Sequence, residues 1–170
     1  AVRISLFCLV SIAIMIWTIE IAYFNKMSLS FGIIIANLIV FFLSLFFENE
    51  LIGELGFRPV YLSLELFPNC YTLFTSMFIH SGFLHILGNM FVFFFMGIAF
   101  EQRVGPKKFL AIYLITGVCG ALTHALLNLN STVVLVGASG AIFGILGAFA
   151  YAYPRDEVVM PVPLGIMIIM

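Results

Sequence analysis

Charge is what this sequence has least of. Only 9% of its 170 residues are Asp, Glu, Lys or Arg, with seven basic against eight acidic and a formal net charge of -1. A soluble domain carries about 25% charged residues, because its surface must be hydrated. With 64% hydrophobic residues and a mean hydropathy of +1.22, the chain is too apolar for that class. The same apolar content excludes a disordered chain. The balanced charge leaves no basic stripe for nucleic acid. Cysteine is scarce as well: Cys8, Cys70 and Cys119 are an odd number without metal-ligand spacing, and they read as free, packed thiols.

What is there is a succession of long apolar runs, which reads as an all-α, polytopic transmembrane helix bundle. At about 20 residues per spanning helix plus loops, the length allows five or six spans. The apolar character persists through the whole chain, so a cleaved signal peptide does not account for it. The runs are 2–24, 31–47, about 83–100, about 108–126, and a short one from Ser139 to Pro154. The run from Pro161 to Met170 reads as the first half of a further span. Together with the lack of a Met at position 1, it sets the expectation that the chain is a piece of a longer product. Residues 48–70 differ in texture, with Glu48, Glu50, Glu54, Glu65 and Arg58 set among Gly, Pro, Phe and Leu. This is a loop expected in or against the membrane interface, with 71–80 as its return. Residues 101–108 form a charged turn, and 128–132 an uncharged polar loop.

Alternating crossings place Lys26, Arg103, Lys107, Lys108 and Arg155 on one side, with only Arg3 and Arg58 opposite. The positive-inside tendency makes the first side cytoplasmic. The 48–70 and 127–138 loops then face outward, the second as a lid over whatever lies at the start of the Ser139 helix. Asn130-Ser-Thr132 is a glycosylation sequon on that side, too close to the membrane to expect a glycan.

Three short patterns can carry chemistry. In Gly137-Ala-Ser139-Gly140, the serine opens a helix where free N–H groups stabilise developing negative charge. The competing reading is a capping serine in a packing stripe, since Gly140, Gly144 and Ala148 recur every four residues. His85 and Asn89, at i and i+4, share a helix face and can both donate to an oxyanion. Their alternative is an interhelical polar contact. Glu101-x-Arg103 reads first as an interfacial anchor or a loop-closing ion pair. The phenylalanines from Phe91 to Phe95 are a lipid-facing or packing surface.

Three segments together resemble the rhomboid family of intramembrane serine proteases: Met77-Phe-Ile-His80-Ser-Gly-Phe-Leu-His85-Ile-Leu-Gly-Asn89, Glu101-Gln-Arg103-Val-Gly105 and Gly137-Ala-Ser139-Gly140. The resemblance covers about 31–170. It implies a six-helix core, incomplete here, with 1–30 as an extra N-terminal span and linker. It implies Ser139 as nucleophile, with His85, Asn89 and the Ser139 N–H as oxyanion donors. Gly137 and Gly140 flank the nucleophile, His80 is structural, and Glu101 and Arg103 are a structural pair tying the cytoplasmic turn. The family's Trp-Arg pair is not found in the first loop, where Arg58 is the nearest candidate and Trp17 lies elsewhere. Transmembrane protein substrates and membrane lipid are the implied partners, with no cofactor, metal or nucleic acid. The family's general-base histidine lies on the sixth core helix, and His124 matches no catalytic position, so the base is expected outside residues 1–170. The alternative is a non-proteolytic homologue that binds transmembrane clients. A transporter would need intramembrane charges beyond Glu20.

Overall fold

The computed structural model describes residues 6–24, 28–64, 66–162 and 165–169. Arg3, Lys26, Glu65 and the Cys8 side chain, which enter the readings above, lie outside the described residues. Five long or medium helices dominate: α1 (Leu6–Phe24), α2 (Leu29–Leu55), α6 (Phe83–Val104), α7 (Pro106–Leu127) and α8 (Ser139–Ala152). Between α2 and α6 lie three single-turn helices, α3 (Tyr61–Leu64), α4 (Leu66–Asn69) and α5 (Thr72–Thr75), then a 3-10 turn over Ser76–Phe78. Among the described residues, α2, α6 and α7 are long and apolar enough to cross a membrane, and α8 is a shorter apolar helix. The molecule is the expected helical membrane bundle.

Three boundaries differ from the sequence reading. Helix α2 does not stop at 47. It kinks at Phe47 (φ -138°, ψ 41°) and runs on to Leu55. Glu48 and Glu50 face outward there, whereas Leu51 and Leu55, four residues apart, are fully buried. The acidic residues mark a solvated helix face, and the loop begins only at Gly56. The charged turn at 101–108 is likewise mostly helical. It shrinks to Gly105 in a left-handed conformation (φ +81°), with Pro106 opening α7. Glycine reaches that conformation without a Cβ penalty, and proline suits the first helical turn.

The third difference overturns an expectation. Among the described residues from Pro161 onward, none is helical. Strands β1 (Val158–Val162) and β2 (Gly165–Ile169) pair antiparallel, Val158 opposite Ile169 and Val162 opposite Gly165. Pro161 and Pro163 lack the N–H that a helix interior needs, and the flanking valines and isoleucines favour extended backbone.

Cys70 and Cys119 are unbridged as expected, but both are exposed and not packed inside. The core lies among α2, α6, α7 and α8. The Phe93 ring meets Tyr113 at 5.3 Å, and Phe100 meets both Phe109 and Phe149. The Phe91–Phe95 stretch is divided, Phe93 being buried and Phe94 exposed. Aliphatic lipid competes equally well for apolar side chains, so close packing of small residues must hold such helices together. Gly120 and Gly140 bring α7 and α8 into backbone contact, and a Cβ on Gly144 would collide with Thr116. The packing stripe expected at Gly140 and Gly144 is therefore in use.

Glu101 is the tie between the first and second parts of the bundle. Its carboxylate, only 8% exposed, accepts from the Leu29 N–H (2.7 Å), the Ser30 N–H (2.8 Å) and the hydroxyls of Ser28 (2.6 Å) and Ser30 (2.7 Å). A helix start has N–H groups without intrahelical partners and attracts negative charge. Glu101, at the far end of α6, caps α2 from outside it. Arg103 does not pair with Glu101, contrary to the loop-closing ion pair expected. Its Nη2 and Nε each lie 2.7 Å from Asp156, which joins the end of α6 to the turn after α8.

Candidate active site

The site forms where the loop after α7 turns into α8. Gly137 adopts φ +115°, and its N–H donates to the Ser76 carbonyl at 2.8 Å, which pins the turn to the 3-10 segment. Ser139 is the first residue of α8 and is exposed. The N-cap position of α8 is Ala138, one residue earlier, so Ser139 does not hold the capping position. The first N–H groups of α8 lie beside the Ser139 hydroxyl and lack helical acceptors.

His85 comes to this turn from α6. A Cβ built on Gly137 would lie 2.7 Å from His85 Nε2 and 2.8 Å from Cε1, so the imidazole packs directly on the glycine. On the other side of the ring, Nδ1 lies 3.3 Å from the Ser81 hydroxyl. When Ser81 donates that bond, the ring proton resides on Nε2, the nitrogen facing the Ser139 turn. Asn89 donates one amide hydrogen to the His85 carbonyl at 2.8 Å, which fixes its side chain along the helix. Ser139, His85 and Asn89 all line one cavity of about 350 Å³, otherwise walled largely by apolar residues such as Val92, Phe143 and Leu146. Two donors and a hydroxyl thus border the same space, an arrangement suited to a carbonyl whose oxygen gains charge.

His80 is buried in the loop before α6, its ring edge-on to His85 with centroids 5.0 Å apart. Burial, reinforced by the neighbouring His85, lowers its pKa from 6.5 to about 4. It is therefore neutral at pH 7 and acts as a packing partner for the His85 ring. Between pH 6.5 and 4 the unfolded chain binds a proton that the folded chain refuses. His80 thus leaves stability intact above 6.5 and erodes it as pH falls toward 4, by about 3 kcal/mol in all. Thermal midpoints of the detergent-solubilised protein should fall across that interval, and His80→Gln should flatten the decline.

The loop expected as a lid is tethered. Phe57 and Leu135 exchange two backbone hydrogen bonds (3.1 and 2.7 Å), and the Val60 N–H donates to the Ser131 carbonyl at 3.0 Å. These three bonds join it to the loop after α2. In that loop, Arg58 donates to the Gly53 carbonyl and the Tyr61 hydroxyl and lies 5.8 Å from the Tyr61 ring centroid. Tyr61 is the aromatic partner where no tryptophan was found.

Sequence reasoning missed two neighbours of Ser139. Ser76 holds Gly137 through its backbone carbonyl, which leaves no trace in side-chain chemistry. His124 borders a second cavity that Ser139 also lines. Its place seven residues after Gly117 and four after Gly120 puts it on the α7 face that meets α8, a signal that helical periodicity could have given. Among the described residues no three His, Cys, Asp or Glu side chains gather as metal ligands would.

Comparison with known proteins gives this arrangement a family. The Rhomboid domain model matches residues 68–170. RHOMBOID-like protein 1 of Arabidopsis thaliana is 32% identical over 147 residues, which cover 69% of this chain and 37% of that protein. RHOMBOID-like protein 5 of the same plant is 32% identical over 118 residues, 58% of this chain and 38% of its own length. Inactive RHOMBOID-like protein 8, also from Arabidopsis thaliana, is 34% identical over 107 residues, 63% of this chain and 29% of that protein. The chain spans less than two fifths of the length of these relatives. The matched region runs through His80, His85, Asn89, Glu101, Arg103 and the Ser139 turn, more than half of the sequence, and on that extent the chain belongs to the rhomboid family.

Proposed function

We propose that the protein is an intramembrane serine endopeptidase that hydrolyses peptide bonds in or near transmembrane segments of membrane protein substrates. The observation that carries this reading is the meeting of Ser139, His85 and Asn89 around one cavity, with His85 Nε2 against Gly137. In this mechanism Ser139 Oγ attacks the scissile carbonyl carbon. The oxyanion takes hydrogen bonds from the Ser139 N–H, His85 Nε2 and the free amide hydrogen of Asn89. A histidine outside residues 1–170 takes the hydroxyl proton and returns it to the leaving amine. Gly137 and Gly140 let the turn and α7 approach closely. We further assign residues 31–170 to the catalytic core and 1–30 to an added N-terminal span. The site opens toward the non-cytoplasmic side, following the excess of Lys and Arg on the opposite loops.

A second reading is a non-proteolytic homologue that binds transmembrane clients. It is favoured by the name of one relative, Inactive RHOMBOID-like protein 8. Labelling separates the two. The full-length protein in liposomes should react covalently with a fluorophosphonate at Ser139, and the Ser139→Ala variant should not. A full-length protein that stays unlabelled, with no small-His-x-x-Gly pattern in its remaining sequence, would leave the client-binding reading standing alone.

A further inference from the structure

A groove of about 390 Å³ lies away from the Ser139 site, between α1, the segment from α5 to the 3-10 turn, and the first half of α7. Ile12, Ile16, Phe74, Phe78, Leu110 and Leu114 wall it, and Glu20 stands at one end. Ile12 and Glu20 are about two turns apart, so the groove follows α1 for about 12 Å. Ile16 and Phe74, 54% and 47% exposed, leave it open toward the bilayer.

The polar groups on this wall are engaged, with one exception. The Tyr71 hydroxyl donates to the Glu54 carbonyl at 2.9 Å and the Thr75 hydroxyl to the Leu55 carbonyl at 2.7 Å. The Glu20 carboxylate is exposed and has no hydrogen bond or ion pair with the described residues. An ionisable side chain in a span is costly and calls for a partner. Glu20 precedes the end of α1 by four residues, about 6 Å, which sets it near headgroup depth. Lys107 stands close to the same level. It is exposed in the first turn of α7, three residues before Leu110 and seven before Leu114, hence on the groove face.

Charge and shape together select the occupant. A partner helix, about 10–12 Å across, is too thick for this volume over that length. A single acyl chain is thin enough, and a zwitterionic head can meet Glu20 and Lys107 at once. Resting on the reading of α1 as an added span, we propose that the groove binds phosphatidylethanolamine. Its ammonium donates to Glu20, its phosphate accepts from Lys107, and one acyl chain runs between α1 and α7. The N–H donors of a primary ammonium make charge-assisted hydrogen bonds that a choline headgroup, without N–H, cannot make. On the orientation proposed above, this lipid belongs to the cytoplasmic leaflet. It fills the space between α1 and α7, since protein packing holds α1 mainly to α2, where Ser11 and Met15 are buried.

The test uses the full-length protein in liposomes. Tracer phosphatidylethanolamine, phosphatidylcholine or phosphatidylglycerol carries a photoreactive diazirine in one acyl chain, and adducts are mapped by peptide mass spectrometry. The ethanolamine lipid should label α1, Tyr71–Phe78 and the first half of α7 about tenfold more than the choline lipid, the value of one charge-assisted hydrogen bond. Glu20→Gln should bring it down to the choline level, and Glu20→Asp, which keeps a carboxylate, should retain most of the preference. Ile16→Trp, which fills the groove, should lower the adducts of all three lipids there. Equal labelling by the ethanolamine and choline lipids in the parent protein overturns the proposal before any variant is made. So does a preference that survives Glu20→Gln, a glycerol lipid that labels as well as the ethanolamine one, or crosslinks to a second protein chain in place of lipid. A parent whose α1 takes no adduct from any lipid removes the added-span reading itself, which is a different failure.

Discussion

Alanine at position 137 should reduce cleavage of a model transmembrane substrate by at least about a hundredfold, the cost of losing one oxyanion donor. Two features act together there. The φ of +115° is open to glycine and strained for alanine, by about 1–3 kcal/mol. The added Cβ would also lie 2.7 Å from His85 Nε2, which forces the imidazole off the turn. If the backbone relaxes instead, the Ser139 N–H and hydroxyl move with it. Either response separates the donors from the nucleophile. Steady-state kinetics should show the loss in kcat/KM, while the thermal midpoint drops only modestly. Combining Gly137→Ala with His85→Ala should give much less than the product of the two separate losses, because both displace the same ring. Equal and multiplicative effects would show that Gly137 serves something other than the His85 position.

Removing the Glu101 carboxylate should have the largest effect on stability. Four donors converge on it, and two of them are backbone N–H groups at the start of α2 with no other acceptor in the helix. Glu101→Ala leaves these groups buried and unpaired, at about 1–3 kcal/mol each where no water reaches them. We expect a loss of about 3–5 kcal/mol overall, read as a fall in thermal midpoint on the order of 10 °C. Glu101→Gln should fall between, since three of the four bonds go to Oε2 and an amide offers one acceptor oxygen. Arg103→Ala is the control. Its ion pair with Asp156 is half exposed, and surface pairs contribute about 0–1 kcal/mol. A small effect at Glu101, or a large one at Arg103, contradicts this division of roles.

The contrast between these two residues shows what was legible in the sequence. Apolar runs located α6, α7 and α8, because a bilayer imposes length on any helix that crosses it. The start of α8 at Ser139 was legible from its flanking glycines. The i, i+4 spacing placed His85 beside Asn89, yet nothing periodic connects either to Ser139, some fifty residues on. Only the family resemblance supplied that link. Charged residues misled twice, at Glu48–Leu55 and at 101–104, because they read as loop when they were the wet face or the end of a helix. Glu101 kept its partners hidden for a related reason. Its partners are two backbone N–H groups and two serine hydroxyls in the gap between the first two apolar runs. The hairpin after Val158 was misread because hydropathy cannot tell strand from helix, whereas the two prolines could have.

The Glu101 clamp also bears on how the protein is made. Ser28, Leu29 and Ser30 precede Glu101 by 73, 72 and 71 residues. At about 5–20 residues per second of synthesis, α2 waits roughly 4–14 seconds for its cap. During that interval the N–H groups of its first turn have water or lipid headgroups as their acceptors. Arrival of the end of α6 then supplies the carboxylate that replaces those partners.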